Sequence, residues 1–253
     1  MMNAFSDVVA SPTDLSARTL VLTRIDETAA RMRSSADRIN EIQYAVSEQL
    51  QNSANTINNL AQQMASVNEQ IARATGNGQT PNDLLDQRDQ IIRDINQYVQ
   101  TTQIPADDGT VGLFVAGSQP LVLGSTATSL SLGDATAFPG SGQSKLFFNR
   151  PGATPVELDE NVLGGGTVSG LLRFQNTDLS EGRNLLGRMT LAIGMTMIIL
   201  LGHIDVAPDG HLGTTVDRIL QQAGDALEPH AGVGRGLRQR HALARRDLLI
   251  DRK

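Results

Sequence analysis

The sequence predicts a mainly α protein with a β insertion: an elongated, coiled-coil-like bundle of long helices that carries a small β subdomain. Three observations predict it. A seven-residue apolar repeat runs without a slip from Leu22 to Ala74. The same spacing returns from Leu172 to Ile193. Between them lie short strand-like runs separated by Gly, Ser, Asp and Pro.

The first repeat comprises Leu22, Ile25, Ala29, Met32, Ala36, Ile39, Gln43, Val46, Leu50, Ser53, Ile57, Leu60, Met64, Val67, Ile71 and Ala74, and only Gln43 and Ser53 are polar. Gaps of three and four alternate throughout, the pattern of a helix that supercoils left-handed on its neighbours. No Pro interrupts it, and no Gly appears before Gly76. A helix of this span is about 80 Å long at 1.5 Å per residue, so it must lay its stripe against another helix or another chain. Ala61, Ala65 and Ala72 widen the seam in its later half, which favours a bundle over a bare two-stranded coil. The stripe reads first as packing core and says nothing yet about a task.

In order along the chain, residues 1–11 read as a lead-in. Ser11-Pro12 then reads as a helix start, with Ser11 as N-cap, Pro12 at the first helical position and Asp14 in the first turn. Gly76-Asn77-Gly78 ends that helix. Pro81-Asn82 opens the next, with Asn82 as N-cap and Asp83 and Asp86 in the first turn. Leu84, Leu85, Arg88, Ile91, Ile92, Ile95, Tyr98 and Val99 recur at helical spacing. The linker is short, so this second helix should fold back on the end of the first. Arg88 falls in the apolar sector and needs a carboxylate if buried; Asp89 and Glu69 are the candidates.

From Ile104 the period changes. Asp107-Asp108-Gly109 is a turn, and Thr110–Ala116 and Pro120–Leu123 read as strands joined by Gly117-Ser118-Gln119. Thr128–Leu132, Lys145–Asn149 and Pro155–Leu158 are further strand candidates, and residues 133–145 read as loop. Gly164-Gly165-Gly166 breaks the chain, and Thr167 is a candidate N-cap for a return helix. That helix repeats the spacing through Leu172, Gln175, Leu179, Gly182, Leu186, Met189 and Ile193, thickened by Leu171, Leu185 and Ile198. The expected divisions are residues 12–103 (a long helical hairpin), 104–166 (the β-containing insertion), 167–198 (the return helix) and 199–253 (an atypical tail). All four His and seven basic residues of the last nineteen lie in that tail, where the heptad is gone.

Composition narrows the function. The chain of 253 residues is large enough for a core, but aromatics are 3%, so the core must rest on aliphatic residues and Ala. A formal charge of −6 argues against a nucleic-acid partner. The absence of Cys removes disulfides, thiolate metal sites and thiol catalysis. No signal-peptide pattern is visible, and the longest apolar run, Met195–Leu201, is too short to enter and span a bilayer.

Patterns suggestive of chemistry are thin. Gly164–Gly166 with Gly170 loosely resembles a phosphate-cradling loop, but no Lys-Ser/Thr follows, and a turn is the better reading. His203, Asp205 and His211 lack the spacing of a metal site, Asp107-Asp108 lacks the spaced oxygens of a calcium loop, and Ser180-Glu181 belongs to no triad. The Arg-rich tail reads as solvated rather than as a ligand site. The expectation is therefore no enzyme, no catalytic residue, no cofactor and no metal.

Four stretches in order carry a resemblance. Asn82–Asp89 (NDLLDQRD), just after a heptad helix ending in Gln70-Ile71-Ala72-Arg73, resembles the flagellar hook-associated protein 1 family, the first junction proteins between hook and filament. Asp107–Thr110 followed by Gln119–Gly124 (QPLVLG) is similar to the β segment of that family. Gly164–Phe174 (GGGTVSGLLRF) and Asn184–Arg188 (NLLGR) resemble its return helix. Together they span about residues 12–197.

The resemblance implies a structural subunit of the bacterial flagellum, extracellular after export without a cleaved signal, or cytoplasmic if not exported. It implies partners among the axial proteins (the hook and the second junction protein), self-association and an export chaperone. The seam residues it would use are Leu22, Ile25, Met32, Ile39, Val46, Leu50, Ile57, Leu60, Met64, Val67, Ile71, Leu84, Leu85, Ile91, Ile95, Leu172, Leu179, Leu186, Met189 and Ile193. The family's two terminal helices find no counterpart in the sequence pattern, so the expectation is the central part of a junction protein, truncated or frameshifted near residue 198. The alternatives are a helical coiled-coil adaptor and a gene remnant without function.

Overall fold

The computed structural model describes residues 2–11, 13–136 and 143–202. Expectations for Pro12, for the middle of the 133–145 loop and for the tail beyond residue 202, including His203, Asp205, His211 and the terminal basic residues, fall outside the described residues. The fold is mainly α with a β insertion. Helix α1 spans Met2–Ala10, α2 Leu15–Gly76 and α3 Asn82–Tyr98. Among the described residues, seven strands follow: β1 Thr101–Pro105, β2 Val111–Val115, β3 Gln119–Leu123, β4 Thr126–Ala127, β5 Ser129–Asp134, β6 Ser144–Asn149 and β7 Val156–Leu158. The chain returns to helix in α4, Thr167–Arg173, passes through a π-helical segment, Phe174–Leu179, and ends its described part in α5, Ser180–Gly202.

Several local expectations need correction. Residues 2–10 are a helix, not a lead-in. The cap of α2 is Asp14 rather than Ser11: its Oδ1 accepts from the Ser16 amide at 2.8 Å, satisfying a donor the helix start would leave unpaired. Asn82 is the first residue inside α3, and Pro81 holds the cap position without a side-chain bond. Thr167 also lies inside its helix; Gly166 precedes it as the cap. The expected loop over 133–145 is narrower, because β5 runs to Asp134 and β6 begins at Ser144. The two strands missed altogether are β4, of two residues, and β1, whose side chains are nearly all exposed. Such a strand carries no alternating apolar signal and is held by backbone pairing.

The chain falls into two compact units, residues 42–180 and the remainder. The 42–180 unit holds the later part of α2, α3, both sheets, α4 and the π segment. One sheet is antiparallel in the order β1-β2-β3-β4, the other in the order β5-β6-β7. In β6 burial alternates strictly, with Ser144, Leu146 and Phe148 inward. The core is mainly aliphatic: Leu50, Ile57, Met64 and Ile71 of α2, Ile95 of α3, Leu113 and Leu121 of the first sheet, Leu146 and the aromatic Phe148 of the second, and Leu172 of α4 are nearly or fully inaccessible. Ala54 and Ala61 are also fully buried, so α2 approaches its neighbours across small side chains, the solution open to a chain so poor in large rings.

The other unit contains α1, the beginning of α2 and α5. Its core is small: Ala4 and Val8 of α1 with Val21 and Ile25 of α2, against which Ala17 and Ile193 pack. The hydroxyl-rich start of α2 returns its side chains to its own backbone, with Thr19 and Thr23 donating to the carbonyls four residues earlier. Arg183 of α5 donates to Asn40 Oδ1 of α2 at 2.7 Å.

Candidate assembly seam

The α2 repeat faces inward along its whole length: each of the sixteen positions is buried or half-buried. In the 42–180 unit, Val46, Leu50, Ile57, Met64, Val67 and Ile71 join one core with Ile91 and Ile95 of α3 and Leu172 of α4, and Leu60, Leu84 and Leu85 pack half-buried against it. Ser53, polar yet 4% exposed, donates its hydroxyl to the Gln49 carbonyl at 2.8 Å, which makes its burial inexpensive. In the other unit Ile25 is buried, while Leu22, Met32, Ile39, Leu186 and Ile193 are half-buried.

The return stripe is less regular. Leu179 is buried, but Met189 is 55% exposed and does not belong with the seam. A count in threes and fours assumes 3.6 residues per turn, and the π segment takes more residues per turn than an α-helix. Positions beyond it therefore drift out of the phase counted from Leu172.

The seam is locked to the strands by amides that the apolar pattern does not reveal. Asn68 is fully buried in the row of small residues on α2; its Nδ2 donates to the carbonyls of Val111 and Gly124, both at 2.9 Å, and its Oδ1 accepts from the Val111 amide at 3.3 Å. Asn58 does the same for the second sheet, donating to the Leu130 carbonyl at 2.9 Å and accepting from the Leu130 amide at 2.7 Å. A third amide pair sits in the π segment, which turns the consecutive Gln175 and Asn176 both inward. Asn176 accepts from the Ser144 amide and donates to the Ser144 carbonyl and to Glu160; Gln175 donates to the Ser144 hydroxyl at 2.9 Å. Asn68 and Asn58 each hold one strand residue by both its N–H and its C=O, as a neighbouring strand would. The available sequence signal was an Asn interrupting the Ala61, Ala65, Ala72 row.

Of the two carboxylates proposed for Arg88, Asp89 takes the role, accepting at 3.0 and 2.8 Å, while the third guanidinium contact goes to the Gly109 carbonyl at 3.2 Å. Beside it, Asp108 accepts from the Thr110 hydroxyl at 2.7 Å and amide at 3.0 Å, which hold its carboxyl below the ordinary range. The Thr136 hydroxyl and amide do the same for Glu157, and the Asn161 amide for Asp159. All three shifts come from hydrogen bonds donated to the carboxylate, within a turn for Asp108 and Asp159 and from a residue twenty-one positions earlier for Glu157, and they favour the ionised form.

The triple glycine cradles protein backbone. At Gly166, φ is +103° and a Cβ would sit 2.5 Å from the Tyr98 carbonyl oxygen. Gln100 and Gly165 exchange hydrogen bonds at 3.1 Å, the Gln100 amide donating to the Gly165 carbonyl and the Gly165 amide to Gln100 Oε1. The Thr167 hydroxyl donates to the Gln97 carbonyl at 3.0 Å, capping one of the open carbonyls at the end of α3.

Similarity to known proteins extends over most of the chain. The family model of the flagellar hook-associated protein FlgK helical domain matches residues 1–197, so the likeness includes α1. Flagellar hook-associated protein 1 of Salmonella typhimurium is 33% identical over 187 residues, which cover 73% of this chain and 34% of the relative. The Escherichia coli K12 protein of the same name is 39% identical over 142 residues, 55% of this chain and 26% of the relative. The solved flagellar hook junction protein FlgK from Burkholderia pseudomallei has a TM-score of 0.68 at 26% identity, covering 76% of this chain and 34% of that one. The chain thus spans about a third of the length of the relatives it matches.

Proposed function

The chain belongs to the FlgK family of flagellar hook-associated proteins, and on that premise we propose that it is a structural subunit of the hook–filament junction. The observation that carries the reading is the inward stripe of α2, fastened within the 42–180 unit to the strands by Asn58 and Asn68, a packed arrangement suited to a structural part. The partners are the hook protein, the second junction protein and further copies of the chain, with a chaperone before export, and the working place is outside the cell. The seam residues serve first to hold the subunit's own helices together, and the exposed side of the helices meets neighbours. The role is mechanical and involves no turnover.

Co-purification tests it. A tagged chain expressed in flagellated cells is expected in the isolated hook and junction fraction, and Ile57→Asp is expected to remove it. If the tagged chain stays out of that fraction while a full-length relative tagged in the same way enters it, the reading fails.

A further inference from the structure

We propose that Asn77 is a site of spontaneous deamidation, the point at which the α2–α3 hairpin acquires a negative charge with age. Asn77-Gly78 is the one Asn-Gly pair in the sequence. Both residues are exposed in the turn after α2, and Gly78 has φ +77°. A Cβ at Gly78 would meet nothing within 4 Å, and no described residue hydrogen-bonds the Asn77 side-chain amide. The amide carbon is thus free to swing toward the Gly78 nitrogen, with no side chain at 78 to obstruct the approach.

The step balances without a co-reactant. The Gly78 nitrogen attacks Asn77 Cγ, the N–Cγ bond forms, the Cγ–Nδ2 bond breaks, and the Gly78 proton leaves with Nδ2 as ammonia. Water then opens the cyclic imide at either carbonyl, giving aspartate or isoaspartate. The brake is the hydrogen bond from the Gly78 amide to the Thr75 carbonyl at 2.9 Å, so reaction proceeds from locally opened turns. The product places a carboxylate at the C-terminal end of α2, where the helix dipole disfavours it; the isoaspartate form also lengthens the main chain.

Asp108-Gly109 has the same dipeptide logic and a different fate. The Asp108 carboxylate is held ionised by Thr110, a Cβ at Gly109 would lie 3.3 Å from Ile71 and Thr75 atoms, and Arg88 grips the Gly109 carbonyl. An ionised, tethered carboxylate is a poor electrophile, so this site stays intact.

The full chain is incubated folded at mildly alkaline pH and again in urea, then digested with trypsin. Residues 74–88 form one peptide containing both Asn77 and Asn82, the latter inside α3 and followed by Asp. Fragment-ion spectra are expected to show several-fold more acid form at 77 than at 82 in the folded sample, part of it isoaspartate, and none at 77 in Asn77→Gln. Equal conversion at 77 and 82 in the folded chain overturns the proposal, whatever the urea sample shows. The outcome does not depend on whether the chain enters an assembly.

Discussion

Arg88 of α3 and Gly109, twenty-one residues on, are joined by a hydrogen bond of 3.2 Å from Nη1 to the glycine carbonyl, while Nε and Nη2 of the same guanidinium hold Asp89. The bond ties the NDLLDQRD stretch to the DDGT turn, two of the segments on which the family resemblance rests. The Arg88 side chain is 15% exposed, so its removal also uncovers apolar neighbours. Arg88→Ala is expected to lower unfolding stability by about 1–2 kcal/mol. Arg88→Lys should recover only part of that, because an ammonium cannot reproduce the three-way fork. Urea denaturation of the three proteins side by side checks both.

The seam has a predicted order of sensitivity. Ile57 is fully buried, Leu60 half-buried and Asn59 exposed. Ile57→Asp is expected to cost several kcal/mol and to prevent folding of the 42–180 unit, since a carboxylate there has no partner. Leu60→Asp should cost less, and Asn59→Asp about 0.5 kcal/mol or less. Thermal melts that fail to separate Ile57→Asp from Asn59→Asp would show the register to be wrong.

Asn68 makes the buried clamp. Asn68→Leu keeps the volume but strands the Val111 amide and two carbonyls, at an expected cost of about 1–3 kcal/mol. Asn68→Asp is expected to be worse than Leu, because its charge lies beside the Val111 and Gly124 carbonyls that Nδ2 now satisfies. Hydrogen exchange should localise the loss to the Val111 amide.

The Glu157 carboxylate accepts from the hydroxyl and amide of Thr136 and titrates below the ordinary range. A depressed folded value means that the stabilisation is present above the unfolded pKa and is lost as pH falls through the folded one. Thr136→Ala should move the Glu157 titration part of the way back up, since the backbone amide at 3.1 Å still donates. Carboxyl-resolved NMR titration reads this directly; an unchanged midpoint would remove the hydroxyl as the leading cause.

How much of this was legible depends on the kind of signal. The α2 stripe was readable because fourteen of its sixteen heptad positions are apolar, and only packing enforces such agreement. The strand runs around Leu113, Leu121 and Phe148 were readable for the same reason. Asn58, Asn68 and Asn176 were not, because one polar residue on an apolar row carries no period and its value lies in a backbone group distant in sequence. Asp14 took the cap from Ser11 because the first turn of α2 begins three residues later than the Ser-Pro pair suggested. Met189 fell outside the seam because a π segment leaves no mark in a pattern counted at 3.6 residues per turn.

The reciprocal bonds between Gln100 and Gly165 have a topological consequence. They join residues sixty-five apart, at the points where the chain leaves the helices and comes back. The excursion between them is therefore a closed detour with a common doorway, and its length is not constrained by the helical frame. Material can be grafted into it at an outlying turn such as Gly152, which is exposed and has open space around its Cα, without altering the distance that α4 must cover from α3. A fluorescent or affinity module inserted at Gly152 should therefore leave the fold of α3 and α4 intact.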